Sequence, residues 1–240
     1  MANSITYFHE VASHLNNAGI SLLGDQRFEE ATRTFSDAIL VIKMTSAALE
    51  SKKGTEIESS LFDCIQEKLH TASERLSKLE PQRRRTHKKF CFRIVSDDDG
   101  FTSFRDLKDS THPCLFQMEP TVMEDAPTKD DLSDSASTLF YNLGISYRCL
   151  SALVSHTQSI DIQKAAFHMF KLSYSASARR GNHRWGSLQG ILSLHNLVDM
   201  SRYSDAERSD YALRLRYELL SFQSLESALP SKACQPARAA

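Results

Sequence analysis

From Ile5 to Leu23 the apolar residues Phe8, Val11, Ala12, Leu15, Ala18 and Leu22 recur at intervals of three and four, which places them on one face of a helix. Gly24 and Asp25 break the stripe. A second one runs through Phe28, Ala31, Phe35, Ala38, Ile39 and Ile42 toward Leu49, so two helices joined by a short turn are expected. Beyond Gly54, Thr55 and Glu58 stand at capping-box spacing, and Ile57, Leu61, Ile65, Leu69, Ala72 and Leu76 continue a third helix that ends near Pro81. Periodicity resumes at Leu132. Leu139, Leu143, Tyr147 and Leu150 share one face, and Ala165, Ala166, Met169, Phe170 and Leu172 form the next helix. Leu188, Ile191, Leu192, His195 and Val198 mark another, and Tyr203, Ala206, Ala212, Leu215 and Leu219 a last one.

The stretch between these helical blocks has another texture: RRRTHKK, FCFRIV, SDDDG, CLFQMEP and an acidic run holding Pro127. Phe90–Val95 and Cys114–Met118 are short, apolar and rich in β-formers, so they are expected to pair as antiparallel strands of a small flap; the alternative is a charged linker without structure. The expected organisation is a helical hairpin plus third helix over 1–80, a charged linker or β-flap over 81–131, C-terminal helices over 132–228 and a flexible tail over 229–240.

Eight Gly and six Pro in 240 residues favour long helices over a sandwich of short strands, which makes the expected class all-α. With 29 basic against 30 acidic side chains, no net field directs the chain to nucleic acid, and no apolar run is long enough to cross a membrane. MANSITYFHEV carries no secretory pattern, so the chain is expected in the cytoplasm. Cys64, Cys91, Cys114, Cys149 and Cys234 form no CxxC pair, which argues against a disulfide framework and a zinc site.

Two internal matches decide the architecture. RFEEATRTF (Arg27 to Phe35) aligns with RYSDAERSDY (Arg202 to Tyr211), and NNAGISLL (Asn16 to Leu23) aligns with YNLGISYR (Tyr141 to Arg148), sharing N-x-G-I-S. A small residue in one helix, then an aromatic and an Ala early in the next with a second aromatic further on, resembles the tetratricopeptide repeat. Leu15, Ala18, Gly19 and Leu22 fit the first helix of that family's unit, and Phe28, Ala31, Phe35 and Ala38 the second. Lys43 stands where the closing Pro belongs. Phe140, Leu143, Gly144 and Tyr147, then Ala166, Phe170 and Ser173, fit a second unit whose connection is about ten residues too long. In a third, degraded unit Tyr203 and Ala206 fit, while Leu194 replaces a small residue and Asp210 an aromatic. The resemblance covers roughly half of the chain and is also similar to repeat-containing proteins of diatoms, a likeness that brings no activity with it.

The physical sense of the pattern is that helix axes approach to about 8–10 Å only where side chains are small. The resemblance implies stacked antiparallel hairpins, an α-solenoid acting as a non-enzymatic scaffold that binds a peptide or helix of a partner protein. Asn16, Asn17 and Asn142 would face its groove, where an amide can both donate to and accept from a peptide backbone. The family's chaperone-tail clamp is not expected, because its first-unit positions hold Asn16 and Ile20 and its third-unit positions Leu188 and Leu192.

Candidate chemistry is sparse. HEVASH (His9 to His14) has one residue too many for a zinc-protease motif, and five residues along a helix turn the second imidazole about 140° from the first. Phosphate-binding and nucleophile-elbow motifs are absent, and Asp97, Asp98 and Asp99 with Gly100 lack the alternating ligands of a calcium loop. No catalytic residue, metal or cofactor is therefore expected. Arg83, Arg84, Arg85, Lys88 and Lys89 form the one dense charge block, which reads as a solvated linker or, alternatively, as the basic segment of a nuclear or nucleic-acid-associated regulatory factor.

Overall fold

The computed structural model describes residues 2–50, 56–77, 92–95, 113–118, 127–178, 184–201 and 204–228. Within them the chain runs through α1 (Ala2–Gly24), α2 (Phe28–Glu50), α3 (Glu56–Ser77), β1 (Arg93–Val95), β2 (Cys114–Phe116), α4 (Lys129–Ser151), α5 (His156–Ala178), α6 (Arg184–Met200) and α7 (Asp205–Ala228). Among the described residues the fold is all-α apart from one small two-stranded sheet. The segment from Arg83 to Lys89, Thr55 of the expected third-helix cap, Tyr203 and the tail lie outside the described residues.

Asp25, Gln26 and Arg27 turn the chain between α1 and α2. The Arg27 N–H donates to the Leu22 carbonyl and the Gln26 N–H to that of Leu23, both at 2.9 Å, which is the Schellman ending of a helix. The left-handed position this ending requires is filled by Gln26, at φ 63°, rather than by Gly24. Helix α4 begins three residues before the apolar stripe does. Thr128 and Asp131 form a reciprocal capping box, and Asp130 and Asp131 lie at the positive end of the helix dipole. Asp130 and Asp131 thus belong to the start of a helix.

Sequential neighbours pack together: α1 on α2, α4 on α5, α5 on α6 and α6 on α7, with α2 also against α4 and α3 against α1 and α2. Within the first and second hairpins an aromatic ring rests on bare backbone. A Cβ placed on Gly19 would lie 2.7 Å from Cε1 of Phe35, and one on Gly144 would lie 2.7 Å from Cε1 of Phe170. Both rings are fully buried. Phe35 is the eighth residue of α2 and Phe170 the fifteenth of α5, so most of the extra length in the second hairpin is added helix, not loop. Ala206, aligned with Ala31 by the repeat pattern, is exposed, whereas Ala31 is buried; the third unit makes no corresponding contact there.

Hydroxyls short enough to need close helices join the remaining faces. Ser137 Oγ donates to the Ser173 carbonyl and Ser173 Oγ to the Ser137 carbonyl, each at 3.0 Å, linking α4 and α5 in both directions. Thr32 and Ser146 meet at 2.7 Å between α2 and α4. Polar contacts also hold α3: Arg75 bonds Asp37 and Thr34 at 3.0 Å each, and Phe62 stacks on Tyr7 with ring centres 5.5 Å apart.

The two strands pair in parallel, not antiparallel as their sequences suggested, with Arg93 opposite Cys114, Ile94 opposite Leu115 and Val95 opposite Phe116. A tight hairpin would have forced the antiparallel arrangement. Residues 96–112 exceed the dozen or so that a return to the same end of the sheet requires, so the connection leaves direction free.

Replacing Gly19 by Ala should destabilise the chain by about 1–3 kcal/mol through overpacking, more than the ~1 kcal/mol that Ala adds in helix propensity. Combining it with Phe35→Leu, which shortens the opposing ring, should cost less than the sum of the two single changes. Urea unfolding midpoints of the four proteins check this.

Candidate functional site

Strand β2 and the residues after it lie where the amides of α1 and α4 converge. Asn142, on α4, grips Phe116 at both main-chain groups: its Oδ1 accepts from the Phe116 N–H at 3.0 Å and its Nδ2 donates to the Phe116 carbonyl at 2.7 Å. Asn17, on α1, grips Met118 in the same way, donating to its carbonyl at 2.7 Å and accepting from its N–H at 3.2 Å. Asn16 sits between them. It adds a second donor to the Phe116 carbonyl at 3.0 Å, accepts from Asn142 Nδ2 at 2.9 Å and donates to Asn17 Oδ1 at 3.2 Å.

Asn17 and Asn142 are the Asn of the two N-x-G-I-S segments. A strand presents one outward N–H and C=O pair every second residue, about 6.6 Å along its length. One amide per helical hairpin therefore reads one residue of the strand, and the next hairpin reads the residue two further along. Helix α6 carries half-buried Leu192 at the corresponding place of the third unit, and the amide series stops at two.

Side chains lock the strand as firmly as main-chain bonds do. Phe116 and Leu115 are at most 1% exposed, with Cys114 and Met118 also buried. The Phe116 ring meets Tyr141 edge-on at 5.1 Å, and Tyr141 meets Phe170 edge-on at 5.7 Å. An aromatic row thus runs from the strand to the ring that rests on Gly144. Burying Leu and Phe to this degree contributes about 1.5–3 kcal/mol apiece, so β2 belongs to the core. Strand β1 is held differently. Val95 is buried, but Ile94 is 52% exposed, and β2 is the only described element against which β1 packs extensively.

Burial also sets the protonation states. The Tyr141 phenol is pushed up by burial, with the neighbouring Cys114 adding to the shift and an Asn196 hydrogen bond and Arg148 opposing it. The Cys114 thiol is raised by burial, against the pull of Arg93, and that of Cys149 is pushed up to about 12. Both thiols stay protonated and act as small apolar groups. Near the start of α1, His9 Nε2 lies 2.7 Å from Ser135 Oγ of α4. Burial lowers its pKa, while Asp131 and Glu10 pull the other way.

Among the described residues no His, Cys, Asp or Glu cluster could hold a metal ion, and no helix is long and apolar enough to cross a membrane. The chemistry the arrangement can perform is recognition of extended backbone. Sequence reasoning placed three amides on one surface but missed their occupant, which is the chain's own residues 116–118. The alternation of Cys114, Phe116 and Met118 was the available signal. No protein-family model, curated protein or solved structure matches this chain.

Asn142→Leu preserves volume but leaves the buried Phe116 N–H without its acceptor, at about 1–3 kcal/mol, and removes a donor from the Phe116 carbonyl. Asn17 is only half-buried, so water can replace its amide. Chemical denaturation should show Asn17→Ala to be the milder of the two substitutions.

His9 releases its proton more readily in the native chain than in the unfolded one, so the unfolded state binds more protons below the ordinary value of 6.5. Stability should be constant above about pH 6.5 and decline as pH falls through that value toward the lowered native one. Melting temperatures of wild type and His9→Gln across pH 8 to 5 check this. The variant should lose the part of the decline that His9 causes.

Proposed function

We propose that this chain is a non-enzymatic, cytoplasmic interaction scaffold, an array of stacked tetratricopeptide-like hairpins that binds a partner protein through an extended peptide. One observation carries the reading: Asn17 and Asn142, at matching places in two repeated segments, each satisfy both main-chain groups of one residue, and the residues they hold are two apart. Such geometry recognises a strand by its backbone and leaves sequence preference to the flanking apolar contacts. Burial raises the pKa of the Cys114 and Cys149 thiols, so both serve as small apolar packing groups beside the strand.

Panning a random-peptide phage library on the full chain tests the proposal. Recovered sequences should alternate apolar residues with a period of two and lack Pro at alternate positions. No enrichment over bare support, or peptides with apolar residues at helical spacing, would overturn it.

A further inference from the structure

We infer that the outer face of α7 is a self-association surface and that its occupant is a second copy of this chain, paired through α7 in an antiparallel, two-fold dimer. The inference goes beyond the peptide-binding reading above and does not rest on it.

Helix α7 is apolar on two opposite sides. Tyr211, Leu215, Leu219 and Phe222 pack into the core, with the Tyr211 ring edge-on to Phe167 of α5 at 6.0 Å. Leu213, Tyr217 and Leu220 each stand two residues from one of these, about 200° around the helix, and are 52%, 64% and 53% exposed. Their spacing of four and then three residues is that of a seam between two helices. An isolated exposed apolar residue needs no explanation, but three on successive turns of one face form a continuous strip.

The two end helices differ. Packing proceeds from α3 on α1 and α2, through α4, α5 and α6, to α7. On the outer side of α3 the same spacing brings Asp63, Glu67, His70 and Glu74 to the surface, and the exposed Phe62 ring stacks on Tyr7. That is the polar outer face an end helix needs in water. Among the described residues α7 is thus the apolar end and α3 the polar one. Copies can join only α7 to α7, an arrangement that closes as a pair and does not extend into a filament.

The strip also complements itself. About a two-fold axis at Tyr217, antiparallel helices set Tyr217 against Tyr217, Leu213 of one copy against Leu220 of the other, and Asp210 against the uncharged Ser224. Parallel helices would set Asp210 against Asp210, so charge selects the antiparallel pair. Asp210 is paired with Arg214 at 3.0 Å and Ser224 with the Leu220 carbonyl at 3.1 Å, so covering the strip leaves neither without a partner. Three apolar layers bordered by exposed Arg216 cover less than the roughly 800 Å² per partner of a stable interface, which makes the dimer weak and concentration-dependent.

Sedimentation equilibrium of the full chain from about 10 µM to about 1 mM tests this. Wild type should pass reversibly from monomer to dimer. Leu213→Glu and Tyr217→Glu, at exposed positions where the helical circular-dichroism spectrum should persist, should each weaken the dimer about tenfold or more, whereas Glu67→Lys on α3 should leave it unchanged. Ser224→Lys should tighten it about two- to fivefold and Ser224→Asp weaken it by a similar factor, because position 224 meets Asp210 only in the antiparallel pair. The inference is overturned by a wild type that stays monomeric throughout, by assembly beyond a dimer, by a dimer that survives both glutamates, or by weakening with both Ser224 variants. None of these outcomes alters what peptide panning reads, so the proposed function stands or falls separately.

Discussion

A buried strand edge must find partners for its main-chain groups, and this constraint organises the centre of the molecule. Each buried N–H or C=O left unpaired costs about 1–3 kcal/mol, and the neighbouring helices have already used their own backbone groups internally. Only a side chain with a donor and an acceptor at fixed separation can stand in for a missing strand, and the carboxamide of Asn is the shortest that does. Asn142 and Asn17 perform this task for Phe116 and Met118, with Asn16 bridging them. The position of β2, the aromatic row behind it and the attachment of β1 in front all follow from those bonds.

The amides can reach because the helices that carry them stand close to their partners. Phe35 rests on Gly19 and Phe170 on Gly144, where even a methyl group would intrude, and reciprocal serine bonds tie α4 to α5. The same small residues that permit packing also repeat the amide: N-x-G-I-S contains the Gly that accepts the ring and, two residues earlier, the Asn that holds the strand. Packing and recognition therefore share one short motif. A change at the Gly would move the Asn.

This coupling explains how much could be read from the chain. Helical stripes are local signals, and α1, α2 and α4 to α7 lie where their periodicity places them; α4 starts earlier only because its cap is polar. Asn17 and Asn142 are matched by the repeat, whereas Asn16 stands opposite Tyr141 in that alignment. Their occupant was not legible, since Asn16 and Phe116 are a hundred residues apart and no periodic pattern spans that distance. Strand direction was likewise hidden, because two apolar runs of equal character fit either orientation and the connection between them imposes none. Left-handed geometry falls on Gln26, two residues beyond Gly24, as the Schellman bonds fix the position by count from the last turn.

β2 fills the space between α1 and α4, and its two edges present main-chain groups to different kinds of partner. On the side away from the amides, three residues of β1 pair in parallel with β2, and the Arg93 N–H donating to the Pro113 carbonyl and the Gln117 N–H donating to the Val95 carbonyl extend the pairing at its two ends. Three positions bind weakly on their own. Burial of the Val95 side chain therefore adds to main-chain pairing in holding β1. One strand is thus held by carboxamides along one edge and by a second strand along the other, and both sets of bonds meet the same need to pair buried backbone.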